Sequence, residues 1–472
     1  MSQAERRARP EPFPRAAREA LANRQVRANV LHATTTIRLK RAQAVAEVPD
    51  WEELRDAGAG VKDAALLSLD RLLVDLEAAV MRRGGTVHWA RDAAEANALV
   101  TDLVRQEGAD TVVKVKSLAT EETGLNEALA GGGIDAIETD LAELIVQLAG
   151  ERPSHLLVPA VHKNRDEIRD LFRERLDLPT LGAEPGELTA AARGFLREAF
   201  LRARVAISGA NFACADTGSV AVVESEGNGR MCTTLPEVLI TVMGIEKVVP
   251  TFRDLEVMLQ LLPRSATGER MNPYTSIWTG VHPGDGPHTF HLVLLDNGRT
   301  RALADEIGRA ALRCIRCSAC INVCPVYRQT GGHAYHTPYA GPIGAILQPQ
   351  LDGGRGSSTS LPFASSLCGA CADVCPVRID IPALLVNERR KVVEGHHGVE
   401  ALGFSLIGRA FRSRRGARTA VGRGARDAVH AHSRGWFGRF PPGPLRAWGR
   451  SRDLPALPDR TFREWWRSRE RS

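Results

Sequence analysis

The sequence has 472 residues, of which 43% are hydrophobic and 25% are charged, as in soluble globular proteins. This length predicts two or more domains, because a single hydrophobic core seldom extends beyond about 300 residues. No segment approaches the roughly 18 consecutive apolar residues of a membrane-spanning helix, which predicts a soluble or peripheral protein.

The net charge of +6 is unevenly distributed. Residues 389–472 hold 20 Lys and Arg against 7 Asp and Glu, a net charge of +13, whereas the rest of the chain carries −7. This asymmetry favours docking to an acidic partner subunit or a membrane surface, and a solvated arginine-rich tail is the simpler alternative.

Helices are predicted at the start of the chain. Residues 1–50 are rich in Ala, Arg, Glu and Leu, and a second helical stretch from Trp51 to about Met81 carries leucines on a broad apolar face. Gly84-Gly85 ends this stretch.

From there to about residue 300, short β-branched runs alternate with helical stretches. The predicted strands are 86–89, 111–116, 136–139, 155–158, 220–224 and 236–243. Asp92 and Asp140 are predicted helix caps. The Glu226-Gly-Asn-Gly229 segment predicts a hairpin-type turn, and residues 272–300 are loop-rich. This rhythm predicts an α/β domain with a largely parallel sheet.

Seven of the nine cysteines lie in two runs that each contain a final Cys-Pro pair. The first run is Cys314-Ile-Arg-Cys317-Ser-Ala-Cys320-Ile-Asn-Val-Cys324-Pro325, and the second is Cys368-Gly-Ala-Cys371-Ala-Asp-Val-Cys375-Pro376. In the C-x2-C-x2-C-x3-C-P runs of two-cluster iron–sulfur proteins, the fourth cysteine ligates the other cluster. The predicted ligands are Cys314, Cys317, Cys320 and Cys375 for cluster one, and Cys324, Cys368 and Cys371 for cluster two.

Cluster two therefore has only three cysteines, because Ser365 stands where a full second run would place its first cysteine. The sequence leaves open a three-iron centre and a four-iron centre with one ligand from Ser365, Ser366, water or a substrate oxygen. We favour four irons, and an electron relay over an iron that binds substrate.

Zinc and disulfides are the alternatives to iron and sulfide. Zinc sites use four ligands, commonly as two pairs, whereas seven interleaved cysteines occur here. The chain opens Met1-Ser-Gln-Ala-Glu-Arg-Arg without an apolar signal core, which predicts a cytoplasmic protein with few disulfides.

Other polar residues in the α/β region are candidates for binding. Three acidic residues follow predicted strands, where ligand crevices form in open sheets: Glu121, Glu122 and Asp140. They are candidates for ligand binding, and the favoured alternative is that they cap the helices that follow. Lys114, Lys116 and Arg230 are candidates for a carboxylate such as lactate, with a solvated strand face as the alternative for the lysines. His333 and His336 either tune a cluster or lie on a surface loop. Cys214 and Cys232 are expected to be buried thiols.

Several stretches resemble the lactate utilization protein B family. These are residues 114–122, 138–143, 148–155, 216–219, 314–333 and 367–377, with Leu454-Pro455 and Trp465-Trp466 near the end. The resemblance covers nearly the whole chain. It implies the iron–sulfur subunit of a system that oxidises L-lactate to pyruvate with two partner proteins, and carries the seven cysteines over as ligands. It also implies a sheet domain related to the phosphosugar isomerase and CoA-transferase group.

Four regions are therefore predicted: an N-terminal helical region (1–83), a lactate-utilization α/β domain (84–300), an α-helical dicluster ferredoxin-like domain (304–390) and a helical, basic C-terminal region (391–472).

The predicted function is electron transfer within an NAD-independent, L-lactate-oxidising complex, and no catalytic residue is assigned to this chain. A partner removes electrons from L-lactate, and two 4Fe-4S-type clusters pass them to an electron carrier or the quinone pool. The basic C-terminus is a candidate contact with the inner face of the membrane, and nucleic acid is not expected. The alternatives are an α/β domain that itself binds and oxidises a hydroxy acid, and a redox-sensing or scaffold protein.

Overall fold

The computed structural model describes residues 11–394, 399–412, 436–437, 454–455 and 462–469. The chain divides into one compact unit of residues 1–392 and another of residues 393–472. Within the described ranges, no helix combines the length and the apolar character needed to cross a membrane.

Four helices precede the first strand. They are α1 (Phe13–Ala22), α2 (Arg24–Ala46), α3 (Trp51–Leu67) and α4 (Leu69–Arg82). The Asn23 side chain accepts the backbone N–H of Val26 and so caps the start of α2. The single helix predicted from Trp51 to Met81 is interrupted at Ser68, whose φ of −118° and ψ of 27° lie outside the helical range.

Strands and helices then alternate through the α/β domain. The strands are β1 (Thr86–Ala90), β2 (Thr111–Lys114), β3 (Asp135–Glu138), β4 (Val205–Gly209), β5 (Phe212–Cys214), β6 (Val220–Glu224), β7 (Val238–Gly244), β8 (Val248–Val249), β9 (Tyr274–Trp278) and β10 (Thr289–Leu295). The helices are α5 (Ala93–Gln106), α6 (Leu118–Thr123), α7 (Leu125–Gly131), α8 (Leu141–Leu148), α9 (Arg165–Arg175), α10 (Pro185–Arg202), α11 (Asn228–Thr234), α12 (Phe252–Ala266) and α13 (Arg299–Ala304).

Six of these strands form a wholly parallel sheet in the order β1-β10-β7-β4-β2-β3. Its strands are covered on both faces. Adjacent residues of β2, Val112 and Val113, are fully buried in the apolar cores on opposite sides of the sheet. The predicted α/β architecture with a parallel sheet is therefore confirmed, and burial on both faces explains the nearly continuous apolar runs.

A second sheet has four strands in the order β8-β5-β6-β9. Its β5-β8 pair is parallel, and its β5-β6 and β6-β9 pairs are antiparallel. Since β7 leads through a short 3-10 turn (Ile245–Lys247) into β8, one segment crosses from the parallel sheet to the second sheet.

Three local predictions were wrong. Residues 155–158 form no strand, because the His155 ring accepts the backbone N–H groups of Leu157 and Val158 and closes a local loop. The segment predicted as a hairpin turn at residues 226–229 instead leads into α11, because the carboxylate of Glu224 accepts the backbone N–H groups at its start. Residues 272–300 contain β9 and β10, and β10 lies inside the parallel sheet.

The cysteine-rich part of the chain is mostly helical, and the helices that adjoin the cysteine runs most closely have four or five residues. It contains α14 (Ala319–Val323), α15 (Tyr327–Thr330), α16 (Gly341–Asp352), α17 (Ala370–Asp373) and α18 (Ile381–Glu394). Its apolar core includes side chains from the N-terminal helices, among them Phe13, Val30 and Trp51. The N-terminal helices and the cysteine runs therefore share one core.

The second unit contains α19 (Val399–Phe411), the antiparallel pair β11 (Trp436–Phe437) and β12 (Leu454–Pro455), and α20 (Phe462–Arg469). Most of the basic C-terminal region lies outside the described residues.

Candidate functional site

Four of the seven clustered cysteines line one small cavity. They are Cys314, Cys317, Cys320 and Cys375, which meet there with apolar side chains that include Leu156 and Ile343. Arg316 and Ser318, between the cysteines of the first run, both have φ of 63°, and these left-handed residues turn the chain tightly around the cavity. Backbone N–H groups of Arg316 and Ile379 donate to the Sγ atoms of Cys314 (3.4 Å) and Cys375 (3.3 Å). Such N–H···S bonds stabilise thiolates and are typical of cluster surroundings.

The other three cysteines form a second group. Burial, together with the nearby charges of Cys324 and Cys368, raises the pKa of Cys371 to about 12. The Sγ of Cys324 accepts the backbone N–H of Tyr327 at 3.5 Å. Cys324 and Cys371 are buried, whereas Cys368 is exposed. The clustered thiols thus fall into a set of four, in which Cys314 is half-buried and the others are buried, and a set of three that reaches the surface at Cys368.

The donor chemistry of both groups fits iron–sulfur clusters. Thiolates are the ligands that such clusters take, and short N–H···S contacts already surround these sulfurs. Among the described residues, no three His, Cys, Asp or Glu side chains are placed to hold a single metal ion. The irons and sulfides of a cluster occupy the space between its thiolates, so its ligands need not converge on one point.

Ser365, at the position of the absent eighth cysteine, is half-buried and lies outside the helices. Its Oγ accepts the backbone N–H of Leu367 at 3.1 Å, and its carbonyl oxygen accepts Arg389 Nη2 at 2.9 Å. Leu367 has φ of 55°, so the chain turns sharply just before Cys368. Ser366 is exposed.

Two arginines from the N-terminal helices hold the second cysteine run in place. The buried Arg55 of α3 donates from Nε to the carbonyl oxygen of Cys375 at 2.9 Å and from Nη2 to that of Ala372 at 3.3 Å. Arg41 of α2 donates to the carbonyl oxygen of Val374 at 3.0 Å. These contacts join residues more than 300 positions apart, and no local pattern in the sequence indicated them.

A buried network of charges links the carboxyl end of the parallel sheet to the loop of Cys314. Glu246, just after β7, accepts Arg299 Nε at 2.5 Å on one carboxylate oxygen and Arg316 Nη2 at 2.9 Å on the other. Arg299 also donates both terminal nitrogens to Glu122, at 2.8 and 2.9 Å. The hydroxyl of Tyr339 donates to Glu122 at 2.5 Å, and the guanidinium of Arg316 lies 4.9 Å from the centre of the Tyr339 ring.

Opposite charges determine the ionisation of this network. Burial raises the pKa of Glu246, but attraction to Arg299 and Arg316 outweighs burial and lowers that pKa to about 2. Burial lowers the pKa of Lys62, whose ammonium donates to the Glu246 carbonyl oxygen, to about 8, and attraction to the Glu246 carboxylate opposes this change. Two carboxylates therefore face several cations beside the loop of Cys314.

The remaining sequence candidates fall into different environments. Glu122 belongs to the buried network, and Asp140 caps α8, as the capping alternative predicted, by accepting the N–H groups of Ala142 and Glu143. The expectation of a solvated face was wrong for Lys114, which is 1% exposed and pairs with Glu138 at 2.6 Å. The reason is that both faces of β2 are buried.

Two of the candidates meet in a narrow crevice at the carboxyl end of β2. Lys116, Glu121 and Glu143 line it together with His155. The pKa of Glu121 is raised to about 8, mainly by burial and secondly by the charge of Glu143. Lys116 forms an ion pair with Glu143 at 3.2 Å. Leu156 lines both this crevice and the cavity of Cys314, so one side chain borders the two sites.

Arg230 and the two candidate histidines lie outside that crevice. Arg230 is exposed and stacks 5.8 Å from the ring centre of Tyr274. His333 and His336 are exposed, as the surface-loop alternative predicted.

Cys214 and Cys232 are buried, as predicted. In each case burial is the main cause that raises the pKa of the thiol to about 12. They provide natural controls for substitutions of the clustered cysteines.

His155, which the sequence did not single out, joins the α/β domain to the cysteine-rich part. Its Nδ1 accepts two backbone N–H groups, so the ring proton resides on Nε2 and is donated to Asn322 Oδ1 at 3.0 Å. The neighbouring Ser154 accepts the Tyr327 hydroxyl on its carbonyl oxygen at 2.6 Å, and Gly332 packs against the same residue.

A parallel α/β sheet domain joined to a helical domain with paired cysteine runs defines an iron–sulfur protein of two clusters. Comparison with known families agrees with this class. Residues 74–294 match the family described as the LUD domain, and residues 310–379 match the 4Fe-4S dicluster domain.

The chain is also similar to whole proteins over nearly their full length. It is 43% identical to lactate utilization protein B of Bacillus velezensis over 466 residues, which cover 96% of each chain. It is 42% identical to the protein of that name from Bacillus subtilis, with coverage of 98% and 97%, and 41% identical to that from Macrococcus caseolyticus, with coverage of 97% of each. The chain therefore belongs to the lactate utilization protein B family, carries a 4Fe-4S dicluster domain and has a role in lactate utilization.

Proposed function

We propose that the chain is the electron-transfer subunit of a complex that oxidises L-lactate to pyruvate. The observation that carries this proposal is the grouping of seven cysteines into two neighbouring sets, in a protein of the lactate utilization family. When bound, each cluster accepts and releases one electron at a time. Two clusters thus match the two electrons that leave lactate as it becomes pyruvate.

The proposed ligands follow the two groups. Cys314, Cys317, Cys320 and Cys375 hold cluster one, and Cys324, Cys368 and Cys371 hold cluster two. The crossing of Cys324 and Cys375 is supported by the cavity that Cys375 shares with Cys314, Cys317 and Cys320, and by the charge interaction of Cys324 with Cys371. A four-iron cluster two would need one non-cysteine ligand, and Ser365 is the candidate at the position of the absent eighth cysteine.

The protein around cluster one is suited to hold an added electron. Arg316 and Lys62 are buried cations whose charge stabilises the reduced, more negative cluster. Three of the four sulfur ligands are buried, and all four lie among apolar side chains such as Leu156 and Ile343, which limits the access of water. Arg41 and Arg55 donate hydrogen bonds to backbone carbonyl oxygens of the second cysteine run. These bonds fix the position of the run, so little rearrangement accompanies electron transfer.

In this proposal two partner subunits of the lactate utilization system act with the chain. One of them removes electrons from L-lactate. The clusters pass these electrons to a carrier or to the quinone pool, and the basic C-terminal region provides a contact with a partner or with the inner face of the membrane.

Cysteine substitutions test the ligand assignment. After anaerobic reconstitution, Cys320→Ala and Cys375→Ala should lose the same paramagnetic resonance signal, and Cys324→Ala and Cys371→Ala should lose the other. Cys214→Ala and Cys232→Ala are the matched controls and should retain both signals. A reconstituted wild-type protein that contains no iron and sulfide would contradict the proposal. If Cys371→Ala and Cys375→Ala lost the same signal, the assignment of Cys375 to cluster one would be wrong.

A second candidate function is supported by the crevice of Lys116, Glu121 and Glu143. It lies at the carboxyl end of a parallel strand, where ligands bind in open sheets, and Leu156 borders both this crevice and the cavity of Cys314. The α/β domain would then bind a hydroxy acid, with its carboxylate on Lys116. Calorimetric titration with L-lactate and pyruvate tests this function. Heat that disappears in Lys116→Met supports it, and no heat from either acid with the wild-type protein argues against it.

A further inference from the structure

Helix α2 packs beside the first cysteine run and is unusually basic. Its 23 residues include five Lys and Arg and no Asp or Glu. Its inner face packs against α14 and α15, which adjoin Cys320 and Cys324. Its outer face exposes Arg24, Arg38 and Lys40. No described carboxylate lies within ion-pair distance of these three side chains, so their charge is available to an outside partner.

A groove between α2 and α15 concentrates this charge. It has a volume of about 330 Å³ and is lined by Arg24, Arg27, Ala28, Leu31, Arg328 and Gln329. Among the residues that the structure describes, three guanidinium groups and no carboxylate therefore face one concave space. Arg27 is fixed by Gln329 Oε1 at 2.7 Å, and Arg328 by Thr35 Oγ1 at 3.0 Å, so two of the three are held in place before anything binds.

The groove also lies close to a proposed cluster ligand. Helix α15 begins with Tyr327, whose backbone N–H donates to Cys324 Sγ, and Arg328 is the next residue. A molecule held in the groove would thus contact Arg328, the residue next to the N–H donor of a proposed cluster-two sulfur. Arg38 adds to the positive electrostatic potential around Arg328. Burial is the main cause that lowers the pKa of Arg328, and the charge of Arg38 lowers it further.

We propose that the outer face of α2 and this groove form the docking surface for an acidic electron-carrier protein that exchanges electrons with cluster two. Guanidinium groups are suited to carboxylates because they bind them with two parallel hydrogen bonds. The concave shape fits protruding acidic side chains better than the plane of a lipid surface. Leu31 and Leu39, 46% and 63% exposed, supply apolar contact beside the charges. Small interfaces steered by charge are characteristic of electron-transfer complexes. This proposal rests on the electron-transfer function proposed above.

Two charge-reversed variants distinguish an effect of the proposed docking surface from an effect of the net charge of the protein. Arg24→Glu with Arg38→Glu changes the proposed surface. Arg193→Glu with Arg197→Glu changes the net charge equally on α10, where both arginines are exposed and have no carboxylate partner among the described residues. The probe is a small, acidic [2Fe–2S] ferredoxin. Its oxidised form is titrated calorimetrically, and its reduced form is mixed with the cluster-loaded protein in a stopped-flow instrument at low and high salt.

The α2 variant should bind the ferredoxin at least about tenfold more weakly. At low salt, the second-order rate constant for its reduction by the ferredoxin should also fall at least about tenfold, and this rate constant should no longer depend on salt. The α10 variant should remain within about twofold of wild type. Equal effects of the two variants, or none, would overturn the proposal. Loss of binding to phosphatidylglycerol vesicles by the α2 variant, with ferredoxin binding unchanged, would also overturn it and assign the surface to the membrane.

Reduction by dithionite and methyl viologen distinguishes failure of the docking surface from failure of the proposed function. This small mediator needs no docking surface, so wild type and both variants should be reduced alike. If no cluster is reduced even by the mediator, the electron-transfer function fails, while the calorimetric titration still decides whether the α2 surface binds an acidic protein.

Discussion

Replacement of Glu246 by glutamine removes one negative charge from the centre of the buried network. Gln has nearly the same shape and retains an acceptor oxygen, so the change isolates charge from packing. Glu246 is 1% exposed, and its two main partners, Arg299 and Arg316, are 1% and 7% exposed. The variant therefore leaves buried guanidinium groups with less compensation.

The expected magnitude follows from the pKa of Glu246. A pKa of about 2, against the ordinary value of 4.5, corresponds to about 3 kcal/mol in favour of the ionised carboxylate. Breaking a buried ion pair by removing one partner typically costs about 3–5 kcal/mol, which agrees with this value. Because the folded-state pKa is depressed, the contribution is fully present above pH 4.5 and is lost only as the pH falls towards 2. At neutral pH the whole effect should be visible.

The assay is anaerobic urea unfolding of the cluster-loaded protein at pH 7, followed by tryptophan fluorescence at matched iron content. Glu237→Gln is the matched control, because Glu237 directly precedes the strand β7 that Glu246 follows. Its partner is the exposed Arg204, at 3.0 Å, and exposed pairs contribute about 0–1 kcal/mol. If the free energy of unfolding of Glu246→Gln lies within about 1 kcal/mol of that of the Glu237→Gln control, the Glu246 carboxylate does not stabilise the buried network.

Two further predictions concern the contacts of the 151–164 loop with the cysteine-rich part. Gly332→Ala should destabilise the protein by about 3 kcal/mol in the same unfolding assay, because the added Cβ would lie 1.9 Å from the carbonyl oxygen of Ser154. Gly60→Ala, where the added atom meets nothing within 4 Å, should instead stabilise α3 by about 1 kcal/mol, and equal effects of the two would contradict the close packing. His155 should make unfolding sensitive to acid, because burial, despite the bond to Asn322, lowers its pKa to about 4. Its contribution is complete above pH 6.5 and is lost as the pH falls to 4, by about 2 kcal/mol at pH 5. His155→Gln should remove this part of the pH dependence, and an unchanged pH profile would show that the ring is not buried as a neutral acceptor.

The sequence predicted the parts of the protein that depend on local spacing. The cysteine runs could be recognised because two or three intervening residues suffice to bring sulfur ligands together. The alternation of apolar runs and helices likewise predicted the parallel sheet. Local capping signals were also informative, and Asp92 and Asp140 both cap helices as expected.

The failures have a common physical cause, which is that distant or competing partners decided the conformation. Residues 155–158 have the composition of a strand, but the ring of His155 takes two of their backbone N–H groups. Lys114 has the appearance of a surface residue in an alternating strand, yet Glu138 on the neighbouring strand compensates its buried charge. Arg55 donates a hydrogen bond to the carbonyl oxygen of Cys375, which lies 320 residues further along the chain, and no periodic pattern in the sequence indicates such a contact.

The central claim is that electrons from L-lactate reach the clusters of this chain. The most direct measurement is paramagnetic resonance of the anaerobically purified chain with its partner subunits, before and after addition of L-lactate. We expect two cluster signals whose reduced forms develop with L-lactate, and loss of one of these signals in Cys320→Ala. Two intact clusters that dithionite reduces but L-lactate leaves oxidised would contradict the central claim.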